Sequence, residues 1–284
     1  MTIGLCTDST SQLPPEIAAR YGIEVVPVTV RIGEDEYLEG VDLDPDQFYD
    51  LYRGGERPSV SITQPSSGQY AAAFDDLLAR GCTEIVSIHV AATVSGSMNA
   101  ARLAAHQMGV PVRLVDTGAT GCAVACATWA AADAVAEGAD IDAAVSVAES
   151  VGSTVGNVFV VGALDLLRRG EPGDPETASG EGCTVPVLGL RDGHVQVIDR
   201  AVDAEHAVAT MADYLDGWAS APGRRLRVAI GVADVRMLPL AAALTAQVGA
   251  SATVADVVTF RLGPSAGSHT GPGTVSCLMF PTAT

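Results

Sequence analysis

The sequence predicts an α/β fold for the first half of the chain and an α+β fold for the second. Through about residue 152, short apolar runs rich in β-branched residues alternate with longer alanine-rich runs. This alternation is typical of an open parallel sheet covered by helices. From about residue 156 the chain changes to closely spaced strand-like runs around a polar segment. Since 284 residues suffice for two domains of ordinary size, we predict domains at 1–155 and 156–284.

In the first half, most apolar runs are followed by residues that start helices. Prolines favour a first helical turn at Pro14-Pro15, with Ser11 or a neighbour as the predicted cap, and Asp44-Pro45 starts a further helix. Gly33-Glu34-Asp35 is typical of a turn. The predicted strands are 3–7, 23–31, 59–63, 84–90 and 111–116, and the predicted helices are 14–21, 44–52, 65–79, 98–106 and alanine-rich segments to about 152.

In the second half, strands and helices no longer alternate regularly. Arg191-Asp192-Gly193-His194 separates two apolar runs and predicts a β-hairpin. A leucine-rich run at 164–169 precedes a polar loop at 170–182. The predicted strands are 158–161, 185–190, 195–198, 226–232, 254–261 and 275–280, and the predicted helices are 203–218 and 237–248.

Composition excludes several classes of partner. The formal net charge is −18, and arginine supplies every basic side chain because the sequence has no lysine. Such a charge repels nucleic acids and anionic membrane surfaces, so we expect neither as a partner. The longest apolar stretch, 119–136, is mostly alanine and contains Asp133, which favours a buried helix over a membrane span. We therefore expect a soluble, cytoplasmic protein without membrane insertion.

The sequence predicts no metal and no cofactor. Its six cysteines are scattered, as in proteins that keep reduced thiols. Cys122 and Cys126 share a helix face, but no histidine or second cysteine pair lies near them in sequence, so we interpret them as small buried residues. Neither a G-x-G-x-x-G turn after the first strand nor a P-loop motif occurs.

The turn Ser95-Gly96-Ser97 is a candidate anion site. It lies between the predicted strand 84–90 and an alanine-rich helix, so free backbone N–H groups and two hydroxyls meet at a helix N-terminus. Ligands of parallel sheets bind beyond the carboxyl ends of the strands, where we also expect Asp8 and Thr63. In the simpler alternative, Ser95, Ser97 and Thr63 only cap helices or end strands, each cap contributing about 1 kcal/mol.

The segment 262–274 contains a second candidate. Gly263-Pro264-Ser265-Ala266-Gly267 fits the G-x-S-x-G pattern of a nucleophile elbow, and His269 follows it. An elbow requires a helix directly after the serine, which we expect Gly267 and the later glycines and Pro272 to prevent. No acidic residue follows Asp256. We therefore predict a rigid loop in which His269 faces a ligand.

Short motifs spread in order along nearly the whole chain resemble the DegV family, the fatty-acid-binding proteins that serve bacterial fatty acid kinases. Each motif is weak alone, but their combination is specific. The motifs are Thr7-Asp8-Ser9-Thr10, Ser61-Ile62-Thr63-Gln64-Pro65-Ser66, Ser95-Gly96-Ser97, Val115-Asp116-Thr117, Pro186-Val187-Leu188 with Asp192-Gly193, and Gly267-Ser268-His269-Thr270-Gly271-Pro272-Gly273.

The resemblance implies two domains that enclose a fatty acid in a tunnel between them. It implies that Thr63 and Ser95 hold the carboxylate, and that His269 and Arg200 lie near the carboxyl group or its phosphorylated form. It also implies a protein that does no chemistry alone, with no catalytic residue, whose bound acyl carboxylate is phosphorylated by a separate ATP-dependent kinase. Relatives have further basic residues after the arginine, whereas Arg200 is followed here by Asp203 and Glu205.

The physical requirements of a fatty acid agree with these residues. Its tail needs only an apolar tunnel, and each buried methylene contributes about 0.8 kcal/mol. Its carboxylate needs hydrogen-bond donors, which Thr63, Ser95, the N–H groups of Gly96 and Ser97, and His269 could supply. Two alternatives stay open: a small-molecule hydrolase or transferase that uses Ser95 or Ser265 with His269 as base, and a regulatory module that senses a lipid.

Overall fold

The computed structural model describes residues 2–54, 58–162, 184–191, 194–218 and 225–282. Within these ranges it contains thirteen strands and nine α-helices. The strands are β1 (Ile3–Asp8), β2 (Glu24–Val26), β3 (Thr29–Ile32), β4 (Asp35–Leu38), β5 (Val60–Thr63), β6 (Glu84–His89), β7 (Val112–Asp116), β8 (Gly156–Val160), β9 (Val185–Arg191), β10 (His194–Ala201), β11 (Leu226–Val232), β12 (Val254–Arg261) and β13 (Val275–Pro281). The helices are α1 (Pro15–Tyr21), α2 (Pro45–Asp50), α3 (Ser67–Ala79), α4 (Ser97–Ala105), α5 (Cys122–Ala136), α6 (Ile141–Thr154), α7 (Ala204–Trp218), α8 (Leu238–Gly249) and α9 (Pro264–Thr270).

A four-stranded parallel sheet organises the first half, in the order β2-β1-β6-β7. Successive side chains of a strand point to opposite faces, so Cys6 and Ile85 pack against α3 and α4, whereas Leu5 and Val86 pack in the cluster that contains α5. The helices therefore cover both faces of the sheet. The predicted open parallel α/β fold is confirmed for this part of the chain.

A separate three-stranded antiparallel sheet, in the order β4-β3-β5, corrects two predictions. The predicted strand 23–31 is two strands, because Pro27 lacks the N–H group that a continuous ladder needs. The predicted turn at Gly33 is correct, and it leads into strand β4, which the sequence analysis missed. Since β5 pairs antiparallel with β3, Thr63 does not end a strand of the parallel sheet, as we had expected.

The second half is built on a six-stranded mixed sheet in the order β10-β9-β8-β13-β11-β12. Among the described strands of this sheet, β11 and β12 are the only parallel pair, which agrees with the predicted α+β arrangement. The predicted hairpin is confirmed by antiparallel pairing of β9 with β10. Helices α7 and α8 pack on one face through Met211, Leu215 and Leu244. The predicted elements at 164–182 lie outside the described residues.

Helix α5 forms a layer between the parallel sheet and the six-stranded sheet. One hydrophobic cluster joins its residues to Leu5 and Ile88 of the first sheet and to Leu278 and Phe280 of the second. The Trp129 ring lies 5.4 Å from that of Phe280 in an edge-on contact. The alanine-rich composition of the helix follows from this position, because small side chains allow two sheets to approach one helix closely. The division into domains near residue 155 stays a prediction. The first strand of the six-stranded sheet, β8, begins at Gly156.

Two helix starts differ in how they are capped. The predicted cap of α1 by Ser11 is wrong, because α1 begins at Pro15 and Ser11 belongs to a preceding turn of 3₁₀ helix, Ser9–Ser11. Helix α3 begins with a capping box. The Ser66 hydroxyl oxygen accepts from the Gln69 N–H, and Oε1 of Gln69 accepts from the Ser66 N–H. None of the described helices is both long and apolar enough to cross a membrane.

Candidate functional site

A cavity of about 690 Å³ is lined by residues from both halves of the chain. Its apolar wall includes Phe159 of β8 and Leu278 of β13, and its polar wall includes side chains from α4 and α9. The other lining residues are Thr10, Val28, Ile62, Gln64, Val90, Val94, Ser95, Gly96, Ser97, Thr120, Gly121, Cys122, Asn157, Leu262, Ser265, Ala266, His269, Thr270, Thr274 and Ser276.

The turn Ser95-Gly96-Ser97 lies at this cavity, at the start of α4. The Ser97 N–H donates to the Ser95 hydroxyl oxygen at 3.2 Å, and the Ser95 hydroxyl donates to the Ser97 oxygen at 3.1 Å. The Gly96 N–H donates to Oε1 of Gln64 at 3.1 Å. These donors therefore meet at a helix N-terminus, and the protein's own oxygens accept from them.

Gln64 was missed by the sequence analysis, although it stands beside Thr63 in one of the motifs quoted above. Ile62 and Gln64 line the cavity, whereas Thr63 between them is exposed and is not among the lining residues. The alternation of side chains along a strand explains this difference. The role of Thr63 as a carboxylate ligand stays a prediction.

The glycine-rich segment 263–270 forms helix α9, so the prediction that its glycines prevent a helix is wrong. Pro264 occupies the first helical turn, where its missing N–H has no cost. Gly267 lies against α2: a Cβ there would meet the Tyr49 hydroxyl and would lie 2.8 Å from Cε1 of Phe48. Gly271, with φ of +73°, ends the helix. Gly267 therefore allows α9 to pack closely against α2, and it does not serve as a flexible residue of a loop.

Ser265 and His269 lie four residues apart on α9 and both line the cavity. His269 lies at a cavity wall, and its predicted contact with a ligand stays a prediction. Although a helix does follow Ser265, the strained backbone of a nucleophile elbow is missing, since Gln12 is the only non-glycine residue with positive φ among those described. The Ser265 oxygen accepts from Nε2 of Gln12 at 2.8 Å.

A buried carboxylate, Glu39, ties α9 to the first half of the chain. It accepts from the Ser9 hydroxyl at 2.6 Å, from Nε2 of Gln12 at 3.2 Å and from the Ser265 N–H at 2.7 Å. Burial raises the pKa of Glu39 above its ordinary value, and these donors partly oppose the rise. Gln12 also accepts from the Gly263 N–H. These bonds fix the start of the helix that carries His269.

A second buried network lies behind the turn at α4. The Asp8 carboxylate accepts from the Thr10 N–H at 3.0 Å and from the Tyr70 hydroxyl at 2.9 Å. Nε2 of His89 lies 2.8 Å from the Ser87 hydroxyl, and burial lowers the pKa of His89 to about 4. Asp8, Ser87 and His89 are all fully buried and none lines the cavity, so this serine, histidine and aspartate form a structural network.

Arg200 lies on β10, an edge strand of the six-stranded sheet, and is exposed. It does not line the cavity, and its backbone N–H donates to the carboxylate of Asp199 at 2.7 Å. Its predicted contact with a partner or a phosphate stays a prediction. In the part of the chain that the structure describes, no group of three or more histidine, cysteine, aspartate or glutamate side chains could hold a metal ion.

The fold and the cavity together define a mixed α/β protein with one cavity lined by residues from both halves of the chain. The chain belongs to the DegV family: the family model described as "Uncharacterised protein, DegV family" matches residues 2–282. DegV domain-containing proteins of Streptomyces coelicolor and Deinococcus radiodurans are 30% and 32% identical to the chain, over 95% and 99% of both sequences.

Solved structures agree with this assignment. A DegV family protein from Thermus thermophilus, described as fatty-acid binding, is 29% identical and superposes with a TM-score of 0.79 over 99% of this chain and 100% of its own. DegV from Bacillus subtilis, at 22% identity, has the same fold with a TM-score of 0.76 over all of both chains.

Proposed function

We propose that this protein binds a long-chain fatty acid in the cavity, with the carboxylate at the Ser95-Gly96-Ser97 turn and His269. The observation that carries the proposal is that one cavity joins hydrogen-bond donors at a helix N-terminus to an apolar wall that includes Phe159 and Leu278. The helix N-terminus favours an anion, and the apolar wall favours the acyl tail. The fatty-acid-binding relative from Thermus thermophilus supports the same ligand class.

The size of the cavity is suitable for such a ligand. Small-molecule sites commonly enclose about 300–1,000 Å³, and this cavity encloses about 690 Å³. Burial of the tail contributes about 0.8 kcal/mol for each methylene. Because an unpaired buried charge is very costly, the carboxylate must lie at the polar wall. Thr63, at the end of β5 beside the lining residue Gln64, is kept as a proposed further ligand of the carboxylate.

We further propose that the protein is a carrier rather than an enzyme, and that a separate ATP-dependent kinase in the cytoplasm phosphorylates the carboxylate. The head-group end of the cavity lies near the surface: Gln64 is exposed and 64% of Val94 is exposed. A second protein could therefore reach the carboxylate without unfolding the carrier. In this proposal Arg200 contacts the partner or the acyl phosphate, and no cofactor is bound.

Replacement of both serines, Ser95→Ala with Ser97→Ala, tests the ligand site. A hydrogen bond to a charged group contributes about 1.5–3 kcal/mol, so loss of either hydroxyl contact should weaken palmitate binding roughly tenfold or more. Binding would be measured by calorimetry and by native mass spectrometry of the purified protein. Ser146→Ala, an exposed position on α6 away from the cavity, is the control.

Two results would contradict the proposal. Failure of the wild-type protein to carry or take up any fatty acid would exclude the ligand class. Unchanged affinity in the double variant would remove the carboxylate from this turn. Ester hydrolysis by the protein alone, with covalent labelling of Ser95 or Ser265 by serine-directed reagents, would instead favour the enzyme alternative.

A further inference from the structure

The side chain of Gln64 lies directly on the backbone of Gly96. Its Oε1 accepts from the Gly96 N–H at 3.1 Å. A Cβ built on Gly96 would lie 2.5 Å from that oxygen and 2.6 Å from Nε2, so the whole amide group covers this residue. Gly96 is the N-cap of α4, which has no side-chain cap of its own. A neutral amide oxygen therefore occupies a position at the helix N-terminus where an anionic oxygen is favoured.

We propose that Gln64 fills the head-group position in the unliganded protein, and that only a charged carboxylate displaces it efficiently. This inference rests on the proposed function, because it concerns the same turn. A carboxylate is the stronger acceptor, since hydrogen bonds to ionised groups are shorter and about twice as strong as neutral ones. A fatty alcohol or methyl ester brings only a neutral oxygen, which gains little over the amide that it would replace. Gln64 thus lowers the affinity of any lipid that takes this position by the same factor, and only the stronger hydrogen bonds of a carboxylate leave a net gain at the head group.

The surroundings of Gln64 allow its side chain to leave. The residue is exposed, it follows the last residue of β5, and Pro65 separates it from the capping box of Ser66 and Gln69. Contacts of that box do not involve Gln64. The amide can therefore rotate into solvent without disturbing the sheet or the start of α3.

The Gln64→Ala variant separates competition from a structural role. Removing a competing neutral hydrogen bond should tighten palmitate binding about two- to tenfold. It should tighten hexadecanol binding by about the same factor, because both ligands must displace the same amide. Gln64→Glu places a carboxylate on the Gly96 N–H and should weaken palmitate binding at least tenfold while affecting hexadecanol less. Gln107→Ala and Gln107→Glu, at an exposed position after α4, are matched controls that should change neither ligand.

A measurement without ligand distinguishes failure of this inference from failure of the proposed function. Hydrogen exchange of the Gly96 amide should be faster in Gln64→Ala than in the wild type and in Gln107→Ala. If wild-type protein binds neither lipid, the proposed function fails, whereas exchange still reports on the Gln64 contact. If palmitate binds the wild type but Gln64→Ala binds it equally or more weakly, the displacement model is overturned. Unchanged exchange at Gly96 would overturn it as well.

Discussion

Gly267→Ala tests whether helix α9 depends on the absence of a side chain. The new Cβ would lie 2.8 Å from Cε1 of Phe48, whereas carbon atoms pack best at about 3.5–4.0 Å. Phe48 and Tyr49 are 0% and 2% exposed, so neither ring can swing into solvent. One of the two helices must therefore move by about 1 Å, and such overpacking typically costs about 1–3 kcal/mol.

Urea unfolding with linear extrapolation would measure this loss of stability. Gly68→Ala in α3 is the matched control, because the nearest atom to its Cβ is the Ser66 oxygen at 3.8 Å. Alanine is the better helix former, so Gly68→Ala should leave the protein as stable as the wild type or up to about 1 kcal/mol more stable. His269 follows Gly267 by two residues, so palmitate binding should weaken only in Gly267→Ala. If both variants change stability in the same direction, the packing argument is refuted.

Two further predictions concern titratable groups. Burial lowers the pKa of His89 from 6.5 to about 4, so the unfolded chain takes up the proton first as pH falls, and stability should drop between about pH 6.5 and 4 by up to about 3 kcal/mol. His89→Gln should lose that part of the pH dependence, and an identical slope would contradict the assignment. Cys122 lines the cavity, and burial raises its pKa to about 12, so its labelling by maleimide should be slow and still accelerate above pH 9. Bound palmitate should slow labelling at Cys122 but not at Cys82, and equal labelling with and without lipid would show that the lipid lies elsewhere.

Elements with one dominant local pattern could be predicted from the sequence. The predicted strands 226–232 and 254–261 match β11 and β12 residue for residue, because runs rich in β-branched residues end at clear breaks. The predictions were wrong where a single residue decides which strand a segment pairs with or which helix it packs against. Pro27 divides one apolar run between two sheets, and the choice of sheet depends on pairing that no local pattern contains. Gly267 was misjudged for the same reason, since its contact with α2 is not local.

The residues of the candidate site also differ in whether a local sequence pattern could indicate them. Ser95, Gly96, Ser97 and His269, which all line the cavity, could be singled out from the sequence because a turn before a helix and a histidine among hydroxyls are local patterns. Their contact with a ligand stays a prediction. The residues that hold them were missed, because Gln64 is 32 residues from Gly96 in sequence and Gln12 is 253 from Ser265. Such pairs require the fold to be known first. The quoted motif containing Gln64 was the only signal available for it.

The chemistry of the donors explains why a neutral side chain can compete for this site. The residues that line the cavity, all within the described part of the chain, include no arginine. A guanidinium would hold a carboxylate through two charged hydrogen bonds. These bonds are much stronger than any that a neutral amide oxygen can make at the same position. Backbone N–H groups and hydroxyls make weaker bonds, so the difference between an amide and a carboxylate acceptor can decide occupancy. In the proposed function the same weakness leaves the bound carboxylate free enough to react with a partner's phosphoryl group.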